Sequence, residues 1–322
     1  MHIRIGVTLG DPRGIGPEVA AKALSAMGRS RPLDTVCAIG PAELAGDFGP
    51  LCRFEAVGGE RGDLTPGEAA GMAIERAAEL AMEDRLDAIV TAPTHKPSLA
   101  AAGYPAGHTE MLAALADVET VGMLMCDEGA GGPCPRAARR VLLATTHLAL
   151  AEVPLRLTTE LLVSQTRLLG ESLASYWGIA SPRIALCALN PHASDEGAFG
   201  SEEREVYAPA MRALGRDSWR VTGPIPADTV FRRAFAGEFD AVVAPYHDVA
   251  MAAFKTVAFG RGVNVTLGLP FVRTSPDHGT AFDIAGLGLA DPSSMLAALE
   301  LAATLASRRV SRAHARQMAS GA

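Results

Sequence analysis

Aromatic residues make up only 5% of these 322 positions. The core therefore has to be built mainly from Ala, Val, Leu and Ile, and a hydrophobic share of 48% supplies enough of them. There is no basic excess, since 29 Lys and Arg against 36 Asp and Glu leave a net charge of −7. That balance disfavours nucleic acid as a partner, because phosphate backbones need a basic face. A small anion held in a local basic pocket stays compatible with it. The five cysteines, Cys37, Cys52, Cys126, Cys134 and Cys187, are odd in number and scattered, with no CxxC pair. Neither a disulfide framework nor a zinc ribbon is expected from them. No apolar run approaches the roughly 18 residues of a membrane span. The opening MHIRIGVTLGDP runs straight into a predicted strand, without a leader pattern. A cytoplasmic protein with no membrane and no nucleic-acid partner is the expectation, in one large or two ordinary domains.

What is present is alternation. Apolar β-type runs such as IRIGVTL, TVCAIG, DAIVTAP, RVLLATTH, RIALCALN, DAVVAPYH and VNVTLG are interleaved with Ala- and Leu-rich helical stretches. A long helix, SSMLAALELAATLASRRVSRAHARQMA, ends the chain. Near-continuous apolar strands separated by helices predict α/β layers with mainly parallel sheets. The segment EGAGGPCPRAARR (128–140) reads as an extended surface hairpin without chemistry.

Parallel α/β sheets bind ligands at the carboxyl ends of their strands. Of eight histidines, His147, His192 and His247 follow three different apolar runs. Neutral imidazole is the commonest ligand for zinc and related metals, and a catalytic site uses three protein ligands. Structural histidines at loop starts are the other reading, and the pattern leaves both open. KTVAFGRGVNVTLGLPFVRTS (255–275) is basic in an acidic chain. There Lys255 and Arg273 suit a phosphate or carboxylate, with solvated surface charge as the alternative. His108 and Thr109 either donate to a ligand or start a helix. GDPRGIGPE (10–18) is a tight strand-to-helix turn or a ligand-binding loop, and its spacing is not GxGxxG. DHGTAFDIAGLGLADP (277–292) is a loop whose small residues let a ligand approach the backbone.

Taken together, these residues resemble the 4-hydroxythreonine-4-phosphate dehydrogenase family. The resemblance rests on GDPRGIGPE, TAPTHKPSL, GYPAGHTEML, LATTHLAL, LNPHASDEGAFGSEE, GPIPADTVF, YHDVAMAAFK and FGRGVNVTLGLPFVRTSPDHGTAFDIAG, which span nearly the whole chain. HGTAFDIAGLGLADP is also similar to the nicotinamide-cofactor loop of isocitrate and isopropylmalate dehydrogenases. The resemblance implies two α/β/α domains of that class, residues 1–140 plus 285–322 and residues 141–284. It further implies an active site in the interdomain cleft at a dimer interface, with a small phosphorylated substrate and a homodimer sharing its sites.

By the same resemblance, His147, His192 and His247 hold one divalent metal (zinc, magnesium or cobalt). His108, Thr109, Lys255, Asn264 and Arg273 contact substrate. His278, Gly279, Thr280, Asp283 and Asp291 belong to the NAD site, with NADP as a variant cofactor. Asp248, and after it Asp228, is the candidate general base. The implied reaction oxidises 4-phosphohydroxy-L-threonine at C3 and then decarboxylates it to 3-amino-2-oxopropyl phosphate, a step of pyridoxal phosphate biosynthesis. The alternatives are a paralogous dehydrogenase for D-threonate or D-erythronate 4-phosphate and a non-catalytic ligand-binding protein. The chain departs from the family in the 128–140 insertion. It also departs at Val249-Ala250-Met251, where biosynthetic members usually carry Gln-Gly and an apolar residue.

Overall fold

A computed structural model describes residues 3–29, 32, 35–59, 63–105, 107–129 and 138–320. The strands are β1 (Ile5–Thr8), β2 (Val36–Pro41), β3 (Arg53–Val57), β4 (Ala88–Thr91), β5 (Gly122–Asp127), β6 (Arg139–Leu143), β7 (Arg183–Cys187), β8 (Arg220–Ile225), β9 (Ala241–Ala244), β10 (Val263–Leu267) and β11 (Val272–Pro276). The α-helices are α1 (Gly16–Gly28), α2 (Ala45–Phe48), α3 (Pro66–Met82), α4 (Lys96–Ala101), α5 (His108–Leu115), α6 (Val153–Arg156), α7 (Thr159–Tyr176), α8 (Ala208–Leu214), α9 (Ala227–Phe235), α10 (His247–Ala258) and α11 (Ser293–Ser320). Among the described residues no helix is long and apolar enough to cross a membrane.

The chain divides into two units. The first comprises Met1–Glu119 and Val263–Ala322. Its strand order is β3-β2-β1-β4-β11-β10, parallel except for the β10–β11 pair. Strands β1, β2 and β4 are buried at every position. Helix α3 packs on β1, β2 and β4, while α11 packs on β11, β4 and β10. Strands covered on both faces have no use for polar alternation, which is why their sequences read as unbroken apolar runs. Helix α3 starts where Thr65 and Glu68 form a reciprocal capping box with Pro66 at the first helical position.

The second unit is Thr120–Gly262, with strand order β5-β6-β9-β7-β8. Among the described residues its pairs are parallel apart from β5–β6, which is antiparallel. Its core gathers Met125, Val141, Leu143, Val242, Phe231 and Phe254.

The units divide at 119/120 and 262/263, where the sequence reading expects 140/141 and 284/285. Strand β5 is the hairpin partner of β6, so residues from 120 onward join the second unit. The β10–β11 hairpin pairs with β4 and belongs to the first. Asn264, Arg273 and His278 therefore leave the unit that carries the three histidines. Strand pairing is a long-range choice that a run of apolar letters does not reveal. Most of the expected 128–140 hairpin, including Cys134, lies outside the described residues.

Candidate functional site

In the second unit, parallel pairing of β6 with β9 sets Leu143 beside Ala244. The chains then continue side by side. Ala144 N–H donates to Ala244 O at 2.8 Å, and Thr145 N–H to Pro245 O at 3.2 Å. The Thr145 hydroxyl also donates to Pro245 O, at 2.7 Å. This lacing delivers His147 and His247 to one place, with ring centroids 5.7 Å apart. His147 adopts φ +26°, a conformation that side-chain-bearing residues rarely take. His247 opens α10 after Tyr246 in extended backbone, with Asp248 in the first turn, where a carboxylate suits the helix dipole.

The His247 Nδ1–H donates to Asp248 Oδ1 at 2.8 Å. An ionised carboxylate only accepts, so this bond leaves the His247 Nε2 lone pair free for a ligand. Thr145, Thr146, His147, Tyr246, His247 and Asp248 line a cavity of about 90 Å³. A larger one, about 440 Å³, opens beside Met211, Leu214 and Trp219 and contains none of the predicted residues. The smaller cavity is the one on which the predicted polar groups converge.

His192 is not brought to this pair. It lies beyond β7 in a segment where residues 192–196 all have positive φ, and its ring neighbours Phe199 at 6.4 Å. Among the described residues no three His, Cys, Asp or Glu gather as a metal-holding group. The donors present nevertheless fit a divalent transition metal: two imidazoles face one cavity, one of them oriented by a carboxylate.

The loop carrying His192 is held by Glu203, which sequence reasoning missed. Its buried carboxylate accepts from Leu189 N–H (2.9 Å), Asn190 N–H (2.8 Å), the Asn190 side-chain amide and the Ser194 hydroxyl. Burial alone pushes this carboxyl up, but the Asn190 and Ser194 donors outweigh it and hold Glu203 below its ordinary range. Asp228 sits exposed in the first turn of α9 and does not line the histidine cavity. Lys255 lies on α10, about 12 Å along the axis from His247 at the usual helical rise.

The first unit contains a different polar centre. Arg273 sits on β11 with 2% exposure. Its guanidinium donates to Thr266 Oγ1 at 2.9 Å, across the hairpin, and to Thr91 Oγ1 at 2.7 Å. Among the described residues no carboxylate forms a direct ion pair with it, although the charge of Glu110 acts on it, and its Nε has no hydrogen-bond partner. Burial lowers Arg273 to about 10. Asn264 and Thr266, two apart on β10, face the same side of the sheet, and Asn264 Oδ1 is buried without a partner.

His108 opens α5, with Nδ1 3.4 Å from the Thr94 hydroxyl and Nε2 buried and unpartnered. Burial, then the Arg273 and Lys96 charges, hold His108 well below the usual imidazole range, so it is neutral near pH 7. Thr109 follows in the same first turn. A buried, forked cation surrounded by hydroxyls and unmatched polar atoms has the chemistry to receive a tetrahedral or planar anion. Thr91 and Thr266 supply those hydroxyls. As Thr at the ends of apolar strands they resembled ordinary β residues, and nothing local distinguished them.

The predicted cofactor residues lie on the loop between β11 and α11, also in the first unit. Positive φ at Gly286 (+74°) and Gly288 (+73°) turns it. A Cβ added at Gly279, Gly286 or Gly288 would meet nothing within 4 Å. The backbone there is bare to an approaching ligand. His278 Nδ1–H donates to Gly279 O, while its Nε2 is buried without a partner. Asp291 accepts from the Ser293 amide and hydroxyl and so caps α11, and Asp283 is exposed. Bare glycine backbone beside an unmatched imidazole nitrogen fits a dinucleotide.

Residues 49–302 match the family model of the pyridoxal phosphate biosynthetic protein PdxA. This chain belongs to the PdxA family. Relatives of this PdxA-family chain include the 4-hydroxythreonine-4-phosphate dehydrogenase of Ruegeria sp. strain TM1040, 42% identical over 95% of this chain and 97% of that one. The D-threonate 4-phosphate dehydrogenase of Cupriavidus necator strain H16 is 41% identical over 95% and 98%. Among solved structures, the 4-hydroxythreonine-4-phosphate dehydrogenase of Klebsiella pneumoniae superposes with TM-score 0.81 at 35% identity, covering 95% of this chain and all of that one. A β-decarboxylating dehydrogenase of Thermococcus kodakarensis shares the fold, with TM-score 0.53 at 15% identity over 95% of this chain and 85% of that one. The PdxA family is a family of dehydrogenases, as the resemblance implied.

Proposed function

We propose that the protein is an NAD-dependent dehydrogenase that oxidises 4-phosphohydroxy-L-threonine at C3 and releases carbon dioxide to give 3-amino-2-oxopropyl phosphate. One observation carries this reading: a buried guanidinium, Arg273, that donates to threonine hydroxyls and, among the described residues, forms no direct ion pair with a carboxylate. Burying such a charge costs several kcal/mol, and an anionic substrate supplies the missing partner. Arg273 and Lys255 hold the phosphate, and Asn264, His108 and Thr109 orient the rest of the molecule.

When bound, a divalent metal on His147, His192 and His247 supplies Lewis-acid chemistry, and a nicotinamide cofactor along 278–291 supplies the hydride acceptor. Asp248 is the first candidate for receiving the hydroxyl proton, since it faces the histidine cavity, and Asp228 is the second. The imidazole pair of one chain lacks its third member, which supports a homodimer whose sites draw on both copies.

D-threonate 4-phosphate is the second reading, because the Arg273 receptor serves either phosphate and a D-threonate 4-phosphate dehydrogenase is among the relatives. The test is NADH formation with NAD, a divalent metal and each of 4-phosphohydroxy-L-threonine, D-threonate 4-phosphate and D-erythronate 4-phosphate. Turnover chiefly on the amino-acid phosphate is expected. Turnover only on the sugar-acid phosphates moves the function to them, and no turnover on any leaves a binding protein. Light scattering on the same sample is expected to give the mass of two chains.

A further inference from the structure

The motif GDPRGIGPE is not used by the receptor or by the histidine pair, yet the structure ties it to the cofactor loop at both ends. At the near end, Ile15 N–H donates to Thr280 O at 2.9 Å. A Cβ on Gly14 would lie 2.8 Å from that same oxygen, so only glycine permits this approach. The Arg13 guanidinium, paired with the buried Asp11, lies 5.4 Å from the centre of the Phe282 ring, and His95 meets that ring edge-on at 5.1 Å.

At the far end, Lys22 Nζ donates to Gly288 O and to Ala290 O, both at 2.8 Å. Glu18 Oε1 accepts from Lys22 at 2.7 Å and from Ala290 N–H at 3.0 Å. Between these attachments lies Gly286, exposed and with positive φ, a residue whose backbone is free to wander.

We propose that Glu18 and Lys22 are positioning residues that hold the 278–291 loop in its cofactor-accepting shape, with Gly14 and Ile15 as the matching clasp at the other end. The proposal rests on the reading of that loop as the nicotinamide-cofactor site. Neither side chain touches the reacting atoms. Each lowers the cost of ordering the loop before the dinucleotide arrives, and affinity scales with the fraction of chains already ordered. Two carbonyls gripped by one ammonium, itself gripped by a carboxylate, leave no slack at the start of α11.

The test is hydrogen exchange on residues 278–291 of full-length protein, with and without NAD, for the parent and for Lys22→Met, Lys22→Arg and Glu18→Gln. NAD titration and steady-state kinetics accompany it. In the parent, NAD is expected to protect the loop. In Lys22→Met, exchange in the loop rises without NAD, and KM for NAD rises about tenfold. KM for the phosphorylated substrate and the thermal midpoint stay close to the parent values. Lys22→Arg, which keeps a charged donor, recovers most of the NAD affinity. Glu18→Gln gives a smaller change in the same direction.

Unchanged loop exchange in Lys22→Met, or an equal rise in both KM values, overturns the anchoring role while the cofactor reading stands. Loop exchange in the parent that NAD does not alter overturns the cofactor reading and the proposal with it.

Discussion

Arg273 and His247 stand in two polar regions built on opposite terms. Arg273 is in mid-hairpin, almost fully buried, its direction fixed by two threonine hydroxyls on neighbouring strands. His247 and His147 emerge past the ends of strands, where the side chain of His247 is 37% exposed and that of Asp248 is 85% exposed. The first region gathers its donors within one chain. In the second two imidazoles meet, and Glu203 tethers the loop of His192 separately. A rigid sheet can preorganise a charge at the cost of desolvating it. Loop ends leave ligands solvated and free to be completed by something else.

The sharpest way to break this comparison is at the histidines. His247→Ala should abolish stoichiometric divalent-metal binding and lower kcat by more than the ~100-fold that losing an outer partner costs, while circular dichroism stays unchanged. Full activity in metal-free buffer would end the metal reading.

Next in size, Arg273→Met should raise KM for the phosphorylated substrate about 100-fold, the scale of two charge-assisted hydrogen bonds. Because it removes an unpaired buried charge, it should leave the thermal midpoint equal to or above that of the parent. A large drop in midpoint would show that the guanidinium is structural.

Glu203→Gln probes the boundary between the two designs. Its amide nitrogen would face donors where an oxygen now accepts, so roughly tenfold weaker metal binding is expected, with about 1–3 kcal/mol lost in urea unfolding. Unchanged metal affinity would separate the His192 loop from the metal.

The smallest effect concerns pH. His108 has a folded value well below 6.5. Between that value and 6.5 the unfolded chain binds a proton that the folded chain does not. Stability from this group is therefore whole above pH 6.5 and falls as pH drops through the window, by at most about 1.4 kcal/mol per pH unit. His108→Gln should flatten the slope seen in urea unfolding between pH 6.5 and 5. An identical slope in both proteins would mean that His108 titrates normally.

At the departure Val249-Ala250-Met251 the side chains pack against the second unit's core. Ala250 is fully buried, and Val249 and Met251 press on the core around Phe254 and Val242. None of the three lines the histidine cavity.

Much of the α/β pattern was legible because strands covered on both faces must be apolar throughout, as IGVT, AIVT and AVVA are. Strand β3, RFEAV, was missed, since an edge strand tolerates exposed polar residues and shows no run. The histidines and Arg273 stood out by residue type alone. Thr91, Thr266 and Glu203 did not, because their roles come from partners 182, 7 and 14 residues away.

By itself, then, the sequence determined the layer class, the family and the inventory of imidazoles, carboxylates and cations at strand ends. Local periodicity and residue chemistry suffice for that. The tertiary structure decided which of them meet. It assigned β5 to one unit and β10–β11 to the other, parted Arg273 from the histidine-bearing unit, and joined His147 to His247 while leaving His192 on its own tether. It also turned GDPRGIGPE from a turn into the clasp of a distant loop. Those outcomes follow from strand pairing and side-chain packing between residues far apart in the chain, where the free energy depends on the partner and no local pattern records it.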